Sequence, residues 1–228
     1  MLGIFYQPAT LSNMNGFSAG MYGARPFMIP SLHSAGMAAA FGFGKQAAGF
    51  FIQQQGGESL RQTCYAMCFA QQLGPAASLG LQVQYLGQLA QGYDAAGTMG
   101  YTLSSQLQLA TGVQALASLT NLGTGKRGLD RQVARYQLGI AADVSDALFL
   151  GFNLGKTEDA SPEVLAALQY QFGGKALLRA GLGSGSSQVV LGIGYFFGPL
   201  RLDVYSSLHT QLGLSPGLQL VYQPIQKK

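Results

Sequence analysis

The sequence predicts an all-β chain, an antiparallel transmembrane β-barrel of about fourteen strands, and three observations lead there. Apolar residues recur with period two in many short runs. Only 10% of residues are charged, against the usual ~25% of soluble domains. Glycine is doubled, at 33 of 228 residues. Successive side chains on a strand point to opposite faces, so period two means that each face meets a different solvent. A surface so poor in charge cannot keep a soluble fold dispersed, which implies that much of it does not face water. Helical membrane spans need about twenty consecutive apolar residues, and Gly, Gln, Ser or Ala cuts every apolar stretch here. A closed barrel is the other way to satisfy every backbone group in lipid.

The elements follow in order from the alternation and the turn signals. Strands are expected near 17–24, 33–43, 45–54, 59–72, 77–88, 93–103, 105–117, 132–143, 146–156, 163–172, 175–184, 187–197, 199–208 and 213–223. In the twelfth, Val189, Leu191, Ile193, Tyr195 and Phe197 form an apolar face against Gln188, Gly192 and Gly194. In the thirteenth, Leu200, Leu202 and Val204 alternate with Arg201, Asp203 and Tyr205. Turns are expected at Gly74-Pro75, Ser104-Ser105, Ser145-Asp146, Gly173-Gly174, Gly183 to Ser187 and Gly198-Pro199. The stretch Ser118 to Arg131, with Asn121, Lys126, Arg127 and Asp130, reads as an exposed loop. The domain plan is an inward N-terminal segment over 1–16, a barrel over 17–223 and a basic tail over 224–228. A soluble β-sandwich also alternates, but its water-facing side would carry Lys, Glu and Thr rather than Gly, Ala and Gln. Export needs a leader, so one is expected to have been removed ahead of Met1.

Residues of inward parity are the candidates for function: Gln82, Gln84, Arg135, Arg179, Arg201 and Asp203. Charges there are paired or line a water-filled path, with a lining selective for anionic solutes as the functional reading. Gly80, Gly112, Gly139 and Gly192 are expected to be small inward residues that leave space. Catalysis is not expected. The best trio is His209 with Asp203 and Ser206 or Ser207, and Asp203 would lie about 20 Å from His209 along an extended strand. Cys64 and Cys68, the only cysteines, share a strand face about 13 Å apart, too far to bridge each other. His33 and His209 belong to turns, so no metal or other cofactor is expected. Gly123 to Lys126 lacks the first glycine of a phosphate loop. The charge of +4 is scattered without aromatic interleaving, so nucleic acid is not an expected partner.

Two segments carry a family resemblance. Phe5-Tyr6-Gln7-Pro8-Ala9-Thr10-Leu11 resembles the YNPAGL element of FadL-like outer-membrane proteins, with Gln7 in place of Asn and Thr10 in place of Gly. Leu208 to Leu218, with His209, Leu214, Ser215 and Pro216, resembles the closing hairpin of the PorV/PorQ group of that superfamily. The resemblance implies a fourteen-stranded barrel in Bacteroidota-type outer membranes. It implies a non-enzymatic component of type IX secretion, with outer-membrane lipid and other outer-membrane or secreted proteins as partners. The alternative it carries is a FadL-like or porin-like channel for small solutes.

Overall fold

In the computed structural model, which describes residues 7–121, 133–185 and 188–224, fourteen antiparallel strands close into one barrel. They are β1 (Gly16–Ala24), β2 (His33–Phe43), β3 (Gln46–Gly56), β4 (Leu60–Gln72), β5 (Ala77–Ala90), β6 (Ala96–Ala110) and β7 (Val113–Thr120), followed by β8 (Arg135–Asp143), β9 (Leu148–Thr157), β10 (Glu163–Phe172), β11 (Ala176–Gly183), β12 (Gln188–Phe197), β13 (Leu200–His209) and β14 (Gly213–Tyr222). Each strand pairs with its neighbours in sequence, and β1 closes on β14 from Ala19↔Tyr222 to Ala24↔Gly217. No sheet edge is left to expose backbone donors to lipid. No described helix is long and apolar enough to cross a membrane.

One expected boundary is wrong. Ser104 and Ser105 form no turn; they lie inside β6, opposite Gly80 and Leu79 on β5 and Ser118 and Ala117 on β7. The turn falls at 111–112, where Gly112 takes φ +76°, so Gly112 is a turn residue and not an inward one. The expected strand 105–117 is therefore split between the end of β6 and most of β7, and Ser118 to Thr120 belong to β7, not to a loop. Asn121 follows directly on β7, and the rest of that loop, with Lys126, Arg127, Asp130 and Arg131, lies outside the described residues, as do Tyr6, Lys227 and Lys228.

An even number of antiparallel strands puts the start of β1 and the end of β14 on one rim. The connections on that rim span 44–45, 73–76, 111–112, 144–147, 173–175 and 198–199, whereas the opposite rim includes 25–32 and 121–134. Bacterial barrels place their short turns on the periplasmic side and their long loops outside. The outer face carries Met67, Leu138, Phe152, Ile193 and Val204, all more than half exposed. Near the short-turn rim the same face carries a belt of aromatic pairs: Phe17 with Tyr222, Phe41 with Phe43, Tyr170 with Phe172 and Tyr195 with Phe197. Aromatic girdles of this kind sit at the headgroup level of the bilayer. The chain is a transmembrane β-barrel of the kind that occupies bacterial outer membranes.

Candidate functional site: a half-filled lumen

The lumen is two different environments stacked along the barrel axis. On the short-turn side it is filled. Residues 7–15 run into it as a 3-10 turn, Pro8–Asn13, opened by the fixed φ of Pro8. Leu11, only 1% exposed, packs on the inward Ala38, Ala40, Ala47, Phe51, Ala66, Cys68 and Ala70. Small residues on β2 to β4 make room for it. Two glycines permit contact between backbones: a Cβ at Gly80 would lie 2.2 Å from Ala9 N, and one at Gly42 would meet the carbonyl oxygen of Met14 at 1.9 Å. The segment is also tied by polar groups. Ala9 N–H donates to Ser104 Oγ at 2.8 Å, and Gln7 Nε2 donates to Ser118 Oγ at 3.4 Å.

Gln82 and Gln84 face inward and are spent on a hydrogen-bonded chain across the wall. Cys68 Sγ donates to Gln82 Oε1 (3.3 Å), Gln82 Nε2 to Gln84 Oε1 (3.0 Å), and Gln84 Nε2 to Asn121 Oδ1 (3.0 Å). Gln82 is 1% exposed, so this part of the wall is a packed polar layer rather than a wet surface. Cys64 and Cys68 are both free thiols of inward parity on β4.

Across the barrel, β11 to β14 carry the charges. Asp203, 3% exposed, accepts at Oδ2 from Arg201 Nε (3.0 Å) and from Arg179 Nη1 (3.3 Å). Arg179 Nε also donates to Gln169 Oε1 at 3.1 Å. Arg201 is covered by the Phe196 ring, its Cζ 5.6 Å from the centroid, a cation–π contact. The Asp203 carboxylate occupies the space a side chain at 194 would take, since a Cβ at Gly194 would lie 2.1 Å from Oδ1. Leu177 and Val221, 2% and 1% exposed, close the short-turn side on these strands.

From this charged floor a cavity of about 730 Å³ extends toward the long-loop rim. Its walls are Tyr22, Ser34, Gln53, Gln55, Gln188, Val190, Tyr205, Ser207 and Gln219 together with Arg179 and Asp203. The Tyr22 and Tyr205 rings stand over glycines, within 2.6 Å of where Cβ atoms would be at Gly36 and Gly217. Sequence reasoning named Arg179, Arg201 and Asp203, and the structure joins them. It placed Tyr205 on the same face of β13 as Arg201 and Asp203, but did not name Tyr22, Gln53 or Gln219; their parity is readable in the sequence, whereas their convergence with Tyr205 depends on barrel closure. Other hollows lie on the outer face between Leu, Ile and Phe side chains, where lipid chains would lodge.

The remaining candidates lie elsewhere. Arg135 faces inward at the long-loop end and pairs with Glu163 at 3.4 Å, both well exposed. His209 Nδ1 accepts from the Gln211 and Leu212 amides (3.2 and 3.3 Å), so the imidazole shapes the β13–β14 turn. Its ring also meets Phe27 edge-on at 6.0 Å, and Phe27 N–H donates to Ser215 Oγ at 2.8 Å. The Pro216 carbonyl accepts from Arg25 N–H at 2.9 Å, while Leu214 faces lipid. These contacts hold the 25–32 loop against β14. His209 and Asp203 are not brought together, since each is engaged by different partners. Among the described residues no three His, Cys, Asp or Glu side chains converge as metal ligands.

No protein-family model and no curated protein matches the chain. Solved structures do match in fold. A mutant of TodX described as a monoaromatic hydrocarbon channel aligns over 96% of this chain and 92% of its own, with TM-score 0.69 and 11% identity. A Pseudomonas aeruginosa FadL homologue covers the same shares at TM-score 0.68 and 10% identity. The Acinetobacter baumannii outer-membrane protein Omp33 aligns over 92% of this chain and 98% of its own, at TM-score 0.63 and 8% identity. The fold is FadL-like.

Proposed function

We propose that this barrel is a channel for small solutes, loaded from the long-loop side and closed on the other by its own N-terminal segment. The observation that carries the reading is the division of the lumen: an open polar cavity above Arg179 and Asp203, and a filled half below, where Leu11, Leu177 and Val221 are buried. Two of the fold neighbours are described as a hydrocarbon channel and a FadL homologue, which supports transport over other uses. Most of the side chains lining this cavity are Gln, Ser, Tyr, Arg and Asp, with Val190 among them, which favours polar solutes over hydrocarbons, because an apolar solute would strip hydration from these groups without replacing it.

In this reading the inward segment 7–15 is a hatch, and passage requires it to shift. Planar-bilayer recordings test it: the full chain should conduct poorly, and a chain lacking residues 1–13 should conduct several times better. A folded barrel that is silent in both forms would remove the channel reading.

The secretion reading, as a PorV/PorQ-like component in a Bacteroidota outer membrane, draws on the Leu208 to Leu218 resemblance. In its favour, His209, Ser215 and Pro216 anchor a rim loop that displays Met28 and Ile29, 58% and 43% exposed. Co-purification of a large translocon or cargo protein from detergent-solubilised membranes would support it; recovery of the barrel alone would count against it.

A further inference from the structure

We propose that the upper lumen binds a small hydroxylated carboxylate, of the hydroxy-acid or sugar-acid class, with its carboxylate on Arg179 and a hydroxyl on Asp203. This deepens the channel reading by naming a solute class, and it stands on charge, on unused bonding capacity and on the walls.

The floor holds two guanidinium groups and one carboxylate, a balance of 2 − 1 = +1. The two arginines are not equivalent. The Arg201 side chain is 13% exposed and lies under Phe196, whereas that of Arg179 is 33% exposed and faces the cavity. Arg179 spends Nε on Gln169 and Nη1 on Asp203, and its Nη2 makes no protein hydrogen bond among the described residues. A guanidinium edge left free in a partly desolvated site fits a carboxylate, which cancels the excess charge.

The acceptor beside it narrows the class. Both arginines bind Asp203 Oδ2, while Oδ1 is buried without a partner. A buried acceptor left unpaired is costly, and each such group asks what would satisfy it. Oδ1 sits over Gly194 in the space a side chain would take, and a small turn of the carboxyl brings it out of that seat toward a ligand hydroxyl. An inorganic anion such as hydrogen phosphate carries its hydroxyl on the same small centre as its charge, so reaching Oδ1 with that hydroxyl brings like charge up to the carboxylate, whereas a hydroxy acid separates the two groups. Above the floor, Gln53, Gln55, Ser207 and Gln219 supply neutral donors and acceptors for further hydroxyls. The cavity, about 730 Å³, is within the range of small-ligand sites.

Calorimetric titration of the detergent-solubilised full chain tests this with sodium gluconate, glucose and sodium phosphate as probes. Gluconate should bind about ten- to a hundred-fold more tightly than glucose, the ratio a hydrogen-bonded charge is worth, and more tightly than phosphate. Arg179→Gln should abolish the preference over glucose. Equal affinity for gluconate and glucose, phosphate as the tightest ligand, no binding at all, or an unchanged preference in folded Arg179→Gln would each overturn the proposal. If Arg179→Gln does not give a heat-modifiable folded band, the three probes on the unmodified chain decide alone. Bilayer conductance of the same preparation reports separately on transport. Binding without conductance keeps the site and removes the channel, and conductance without binding does the reverse.

Discussion

At the residue scale, inward glycines and one aspartate determine what the lumen can hold. Gly80 is backbone-paired with Ala70 and Ser104, so a side chain there need not disturb the sheet, but it must displace Ala9. Gly80→Val is expected to leave the barrel closed and push the N-terminal segment out, at a cost of about 1–3 kcal/mol for the overpacked contact. Conductance should rise and protease should remove residues before Gly16; a variant with unchanged conductance and an uncut N-terminus would contradict the packing described. Asp203 makes the complementary case. Removing its charge leaves two guanidinium groups facing each other, so Asp203→Asn should lower stability by several kcal/mol and shift the bilayer reversal potential toward anion selectivity. The alternation in sequence identified Gly80 and Asp203 as inward residues. What each would touch was not legible, because Ala9 and Arg179 reach them only through long-range closure.

At the element scale, the alternation gives strands reliably where both faces are strongly marked and misplaces a boundary where they are not. In β12 and β13 every second residue is apolar, and the expected and observed limits agree within one residue. In β6 the pair Ser104-Ser105 has turn chemistry but lies mid-strand, because Ser104 Oγ serves the Ala9 amide instead of its own backbone. The true turn carries its own signal, Gly112 at positive φ, which Thr111 and the surrounding apolar residues mask. Ser104→Ala is therefore expected to keep the strand and loosen the N-terminal segment, by about 1 kcal/mol. Faster hydrogen exchange at the Ala9 amide, with β6 amides unchanged, is the measurement. A second element-level expectation concerns the β13–β14 turn. His209→Ala removes the acceptor of two turn amides and the ring against Phe27, so the 25–32 loop should become cleavable by protease while the strands stay protected.

At the scale of the whole molecule, the barrel is a boundary between two solvents, and parity alone decides which one a residue meets. Ile193 and Val190 lie three residues apart on β12, yet the Ile193 side chain is 65% exposed on the outer face, whereas Val190 shares the inward parity of the buried Gly192 and Gly194. In a soluble sandwich a polar substitution at the outer position would be harmless and one at the inner position costly. Here the order inverts, because the outside faces lipid and Val190 faces a polar-lined cavity. Ile193→Arg should destabilise the protein by about 2–4 kcal/mol, the cost of a charge near the bilayer midplane. Val190→Gln adds one more amide to a wall that already holds Gln53, Gln55 and Gln219, and it should cost much less. Urea titrations of folding into phospholipid vesicles measure both. If the two substitutions cost the same, or if the inner one costs more, the apolar belt is not facing lipid and the closed barrel is being held by a different medium than the one its sequence was read to require.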